Sequence, residues 1–237
     1  MFTRVKRFKH TWLPIAALAL GAATSAQADA VYAEGGNDAG ESIATAIALA
    51  GPSTAVGAIR GTLDGGADAD MFAIYLTAGT AFSATTTASA FPYNFFDTVL
   101  YLFDAAGKGL IGNDDDGNAG GSQSTLSNFI PTVSGLYYLA ITGASYTPVS
   151  GGSAIFPSLL GQAGNVAANP GAGALTGWQS VTSESGDYEL VLTGALSAAP
   201  AASGVPEPGS LLLAGLALGT AGLIRRRKAA TAHNDKA

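Results

Sequence analysis

Hydrophobic and polar positions along this 237-residue chain change their pattern twice. At the start, Arg4, Lys6, Arg7 and Lys9 precede an apolar run over 12–23 that closes on Ala26-Gln27-Ala28. A basic head, a short greasy centre and an A-x-A site make residues 1–28 a secretory signal peptide, cut by signal peptidase to leave a mature chain near Asp29. From there to Gly204 the pattern is one of short segments separated by Gly, Asp and Ser. Residues 56–63, 71–76, 81–87, 98–103, 124–130, 136–142 and 188–193 read as strands. Within 136–141 and 188–192, apolar side chains take one parity and polar or hydroxyl-bearing ones the other, as in half-buried strands. This reading puts Glu189 on a solvent face. The one segment of helical character is 41–49, short and Ala-rich. Regular strand spacing with turn signals predicts an all-β chain folded as an antiparallel β-sandwich over 29–194.

Residues 144–183 break the strand rhythm. They are rich in Gly, Ala, Ser and Pro, with a few apolar anchors at Ile155, Phe156, Leu159, Leu160 and Trp178. The expectation is a long inserted loop, pinned by Phe156 and Trp178 against the sandwich edge. Residues 195–204 form a small-residue linker. The second change of pattern follows: Pro206-Glu207-Pro208, an uncharged run over 209–224, then Arg225, Arg226, Arg227 and Lys228. The prolines cannot continue a helix or a central strand. As a helix the run spans about 24 Å, short of a hydrocarbon core of about 30 Å unless the arginines snorkel. The cations stay cytoplasmic with the 229–237 tail, which places the body outside.

This C-terminal pattern resembles the PEP-CTERM sorting signal of Gram-negative bacteria. The residues that carry the likeness are Pro206, Glu207 and Pro208, the apolar helix, and Arg225, Arg226 and Arg227. The resemblance implies processing by an exosortase, a membrane transpeptidase-like enzyme. The protein would be anchored transiently in the inner membrane and then delivered to the cell surface or extracellular matrix. The other reading of the same residues is an ordinary single-pass anchor, which also leaves the body extracytoplasmic.

Charge sharpens the picture once both ends are set aside. The whole chain carries −6. Between Asp29 and Gly204 there are fifteen acidic side chains and only two basic ones, Arg60 and Lys108, a net charge of −13. Such a surface repels phosphate backbones, so nucleic acid is excluded as a partner, and it attracts divalent cations. There is no cysteine. No disulfide supports the exported fold, and thiol catalysis and Cys-based zinc sites are ruled out.

The body resembles the bacterial pre-peptidase C-terminal domain, on several segments in order. These are Glu34-Gly-Gly-Asn37-Asp38; Gly57-Ala-Ile59-Arg-Gly61-Thr-Leu63 before Asp68-Ala-Asp70-Met-Phe72; Phe96-Asp97-Thr-Val-Leu100 running on to Asn113-Asp114-Asp115-Asp116; Ser134-Gly135-Leu-Tyr137-Tyr138; and Gly186-Asp187-Tyr188-Glu-Leu190. The insertion and the lack of an adjoining catalytic domain depart from that family. The likeness implies a jelly-roll-like sandwich. It also implies a shared Ca²⁺ site, with carboxylates from the N-terminal segment and from the loop before the Asp-x-Asp strand.

The residues themselves offer that chemistry. Glu34, Asn37 and Asp38 cluster before the short Ala-rich segment, and Asp68 and Asp70 share one parity. Hard oxygen donors at this density suit Ca²⁺, and they equally suit turns and a solvated surface. Asn113 to Asn118 lacks the glutamate that an EF-hand places after its loop. It reads first as an Asx-rich hairpin turn and second as a weak ion site. The only histidines, His10 and His233, lie outside the body, so no Ser-His-Asp relay or His-bound zinc is available. Lys108 sits in a Gly-flanked hairpin tip. No carboxylate pair stands out for glycoside hydrolysis. Aromatic residues gather around Asp97, mostly as core, and Phe91 and Tyr93 are the best candidates for an exposed ligand contact.

The expected protein is therefore a secreted, exosortase-sorted, non-catalytic sandwich stabilised by Ca²⁺. Its role would be adhesive or structural, in the envelope or exopolysaccharide matrix. The alternative is a specific carbohydrate- or protein-binding module that uses the loop at Phe91 and Tyr93.

Overall fold

The computed structural model describes residues 29–36, 38–49, 53–86, 96–115, 121–179 and 184–197. Asn37, Phe91, Tyr93, residues 1–28 and the C-terminal segment with Pro206, Glu207, Pro208 and Arg225 to Arg227 lie outside that set. The chain begins with β1 (Ala30–Ala33), β2 (Ile47–Ala48), β3 (Val56–Leu63), β4 (Ala69–Leu76) and β5 (Phe82–Thr85). It continues with β6 (Thr98–Phe103), β7 (Gly109–Asn113), β8 (Thr125–Phe129), β9 (Gly135–Gly143) and β10 (Thr147–Ser150). The last strands are β11 (Ser153–Ala154), β12 (Val166–Ala167), β13 (Gly177–Gln179), β14 (Gly186–Thr193) and β15 (Ala195–Leu196). Among the described residues there is no helix.

One sheet runs β1-β3-β14-β5-β8. A second runs β12-β7-β6-β9-β4-β15, with β2 paired to β4. Two short pairs, β1 with β3 and β2 with β4, are parallel. The sheets are thus mixed, where an antiparallel sandwich was expected. Both parallel strands precede the strand they join and reach it through a long connection, as parallel pairing requires.

The two sheets bury one core between them. Ile59 and Leu63 of β3, with Leu190 and Leu192 of β14, meet Phe72 and Ile74 of β4, Leu100 and Leu102 of β6, and Leu139 and Ile141 of β9. These positions follow the strand period of two. The opposite parity of the second sheet is also buried. Met71, Val99, Tyr101, Phe103 and Ala140 form a separate cluster with Ile155, Phe156 and Leu159.

That second cluster is the work of the insertion. Residues 144–183 contain a small sheet, β11-β10-β13, and supply β12 to the edge of β7. They lie over the outer face of the second sheet, and do not stop at its edge. Phe156 sits 5.2 Å and Trp178 5.7 Å from the Tyr101 ring, centroid to centroid. Phe103 packs edge-on to both. Every residue of β6 is consequently buried. The unbroken apolar run Val99-Leu100-Tyr101-Leu102-Phe103 is what a strand covered on both faces requires.

The Ala-rich segment at 41–49 is not a helix. Ser42 and Thr45 bond each other's backbone and hydroxyl groups, Ala46 N–H reaches the Ser42 carbonyl at 2.8 Å, and the turn ends there. Ile47 and Ala48 then pair with Phe72 and Ala73. Tertiary pairing thus overrides alanine's helical preference.

If the insertion is part of the fold, Phe156→Ala should cost roughly 3–5 kcal/mol in urea unfolding, as for a large aromatic removed from a packed core. A loss below about 1 kcal/mol would show the insertion to be a detachable loop.

Candidate functional site

The second residue of β4, Asp70, shares its parity with Phe72 and Ile74, so the pleat turns its carboxylate inward between the sheets. It is 0% exposed. Across the gap, Tyr188 of β14 lies on the same face as Leu190 and Leu192, and donates its hydroxyl to Asp70 Oδ2 at 2.6 Å. Among the described residues Asp70 Oδ1 has no hydrogen-bond partner. An enclosed carboxylate with a free oxygen is costly. Burial, reinforced by the charges of Glu34, Asp68 and Asp38, pushes the Asp70 pKa up to about 8 against the pull of the Tyr188 bond.

Glu34 reaches this point from the end of β1. Its backbone N–H bonds the Arg60 carbonyl at 2.9 Å, extending the β1–β3 pairing by one residue. Its Oε1 accepts from Ala39 N–H at 2.6 Å and its Oε2 from Thr62 N–H at 3.0 Å. The side chain therefore closes the loop that carries Asp38. Gly61 makes room for this: a Cβ there would fall 2.3 Å from the Tyr188 hydroxyl and 2.4 Å from Glu34 Oε2. Burial raises the Glu34 pKa despite its two backbone donors.

Glu34, Asp38 and Asp70 each bring one carboxylate oxygen within 4.8 Å of the others. Asp68, also expected at the site, stands beside this trio and not within it. Its Oδ2 accepts from Asp64 N–H at 2.5 Å, and burial raises its pKa. Asn37 lies outside the described residues.

Two participants escaped the sequence reading. Tyr188 was assigned by strand alternation alone, without its role at Asp70. Glu41 was hidden inside the supposed helix. The Tyr146 hydroxyl donates to both Glu41 oxygens, at 3.1 and 3.2 Å, and Trp178 Nε1 donates to the Glu41 carbonyl at 2.7 Å. The Tyr146 and Trp178 rings stack at 5.6 Å. Burial, then the charges of Asp68 and Asp38, raises the Glu41 pKa. The acidic end of the sandwich is thus tied directly to the insertion.

The body's two bases are spent elsewhere. Arg60 places Nε 3.1 Å and Nη2 3.0 Å from Glu189 Oε1. Glu189, expected on a solvent face, is only 5% exposed, because the Arg60 side chain covers it. Lys108 closes the β6–β7 hairpin, where Asp104 Oδ1 accepts from the Ala106 and Lys108 N–H groups at 2.9 Å. Oxygen donors of this kind, in irregular array, match the chemistry of a hard divalent cation.

The aromatic residues near Asp97 divide between the two cores: Phe96 joins the first, Tyr101 and Phe103 the second. The proposed contacts Phe91 and Tyr93 lie outside the described residues.

No curated protein matches the chain. Residues 204–228, however, match the PEP-CTERM protein-sorting motif, over the stretch that contains Pro206, Glu207, Pro208 and Arg225 to Arg227. The chain therefore carries the tail of exosortase-sorted proteins, which are exported to the cell surface or beyond it.

Proposed function

We propose that this protein is a non-catalytic surface or matrix component whose sandwich is stabilised by Ca²⁺ at Glu34, Asp38 and Asp70, with Asp68 adding a further carboxylate beside them. One observation carries the reading: a fully buried Asp70 that keeps one oxygen without a partner has carboxylate oxygens of Glu34 and Asp38 within 4.8 Å of its own carboxylate. A cation there offsets the burial, and the lesser repulsion, that otherwise hold Asp70 protonated.

The role that follows is adhesive or structural. A body of net charge −13 repels anionic polysaccharide and its own copies, and divalent ions reverse that by bridging carboxylates. Exosortase delivers such a domain to the place where acidic exopolysaccharide lies. The rival reading, a specific carbohydrate- or protein-binding module, needs a defined ligand contact at Phe91 and Tyr93.

The pH dependence has a definite sign. Asp70 has a folded-state pKa of about 8 against an ordinary 3.8. In chelator, the stability this shift contributes is complete below about pH 4 and is lost as pH rises to about 8. The metal-free melting midpoint should therefore fall between pH 5 and 8. Added Ca²⁺ at a hundredfold excess over its Kd should restore about 2.7 kcal/mol, or roughly 5–10 °C at pH 8. Asp70→Asn should melt higher than wild type in chelator at pH 8 and lose the Ca²⁺ gain that this site supplies. Midpoints indifferent to both chelator and Ca²⁺ would remove the ion from the account.

Sorting has its own test. In a host with an exosortase, the wild-type chain should be recovered outside the cell lacking its tail. Simultaneous replacement of Arg225, Arg226 and Arg227 by alanine should leave uncut chain in the membrane fraction, at least tenfold enriched. Equal release of both proteins would contradict motif-directed sorting.

A further inference from the structure

The two ends of the sandwich differ in kind. Asp70 opens β4 at one end, and the Glu34–Asp38 loop, Asp64 and Asp68 lie there with it. Register brings the start of β6 and the end of β7 to the same end: Asp70 pairs with Ile141, Ile141 with Leu100 and Leu100 with Asn113. Asp97, Asp114 and Asp115 flank those strand ends. Six residues further along β4, about 20 Å away, Leu76 pairs with Gly135 and the character changes.

A groove of about 600 Å³ opens there, between the β6–β7 hairpin and the β8–β9 connection. Phe129 and Tyr137 line it, with their rings edge-on at 6.2 Å. Asp104 is its one acidic lining residue, and that carboxylate is engaged with the N–H groups of Ala106 and Lys108. Five large apolar side chains are exposed among the described residues, and three of them stand along this groove: Ile130 at 58%, Val133 at 66% and Leu136 at 47%.

The connection that carries them has a fixed shape. The Tyr137 hydroxyl donates to the Val133 carbonyl at 2.8 Å, Gly79 N–H to the Pro131 carbonyl at 2.9 Å, and Ala78 N–H to Ser134 Oγ at 2.8 Å. Carbonyls already bonded within the protein can meet an apolar medium without the penalty of an unsatisfied group.

Where the chain leaves the sandwich indicates what covers this patch. β15 pairs Ala195 with Leu76, so the last described strand lies two strand spacings, about 10 Å, from Gly135 at the groove. Beyond Ser197, residues 198–208 lead to the apolar run 209–224, a reach of at most about 40 Å. We propose that the groove end, through Ile130, Val133 and Leu136, rests on the lipid at the outer face of the membrane while the chain is anchored. The inference rests on the reading that 209–224 holds the chain in the membrane before exosortase cuts it. Charge sets the orientation, because anionic headgroups repel the acidic end and leave the groove end as the one that can approach. The tether makes the contact intramolecular, so three partly exposed side chains suffice, and loss of the tail frees the domain.

The chain has no cysteine, so Val133→Cys, or Ala67→Cys at the exposed acidic end, carries a single fluorophore. Tail-intact protein from a host without exosortase, floated with phosphatidylcholine vesicles that contain brominated lipid, provides the test. Quenching at 133 should exceed that at 67 at least threefold, and Ile130→Ser with Leu136→Ser should abolish the difference. Equal quenching at both positions in floated protein would overturn the lipid contact and leave the anchor standing. So would a difference that survives the serine pair. Protein that fails to float would remove the anchor and the contact with it. Disulfide dimers of released Val133→Cys protein, without quenching in the anchored form, would give the groove to a second copy and overturn the lipid contact.

Discussion

A carboxylate sealed between two sheets is the constraint around which this domain is arranged. Asp70 stands where its strand parity demands an apolar side chain, and two further acids, Glu34 and Asp38, crowd it. Burying a charge without a counter-charge costs several kcal/mol even after relaxation. Nearby features serve that residue: the Tyr188 hydroxyl, the bare backbone of Gly61 and the loop-closing Glu34. They hold the oxygens in place without neutralising them. A chain with only two bases in its body has almost no internal means of doing so.

The same logic connects the acidic end to the insertion. Without residues 144–183, Tyr101, Phe103 and Met71 would form an exposed apolar face on the second sheet. Burial of that face gives the insertion its fixed position, at about 25 cal/mol for each Å² of apolar area removed from water. Polar contacts then set its register: Trp178 on the Glu41 carbonyl, Tyr146 on the Glu41 carboxylate, and Gly164 on Asn113. An ion at the sheet end would therefore act on both layers, stiffening the sandwich and its cover together.

Much of the fold was legible in the chain because most long strands obey a period of two. Val56–Leu63 and Thr98–Phe103 lie where β-branched and aromatic content between turn residues places them. β7 is Gly-rich and β10 contains a proline, so neither announces itself by propensity. Alanine's helical preference misassigned 41–49, since pairing with β4 is a non-local fact. The signal for the covered face was present in Val99 to Phe103, a run with no polar alternation, yet a run does not say what covers it. At the site, residue types pointed to Glu34, Asp38 and Asp70, whereas Tyr188 and Glu41 depend on which strands become neighbours.

Anomalous diffraction from crystals grown with Ca²⁺ tests the central claim most directly. The account predicts a peak 2.3–2.6 Å from Asp70 Oδ1, shared with oxygens of Glu34 and Asp38. Asp70 bonded only to Tyr188 and water, with no peak nearby under saturating Ca²⁺, would contradict it.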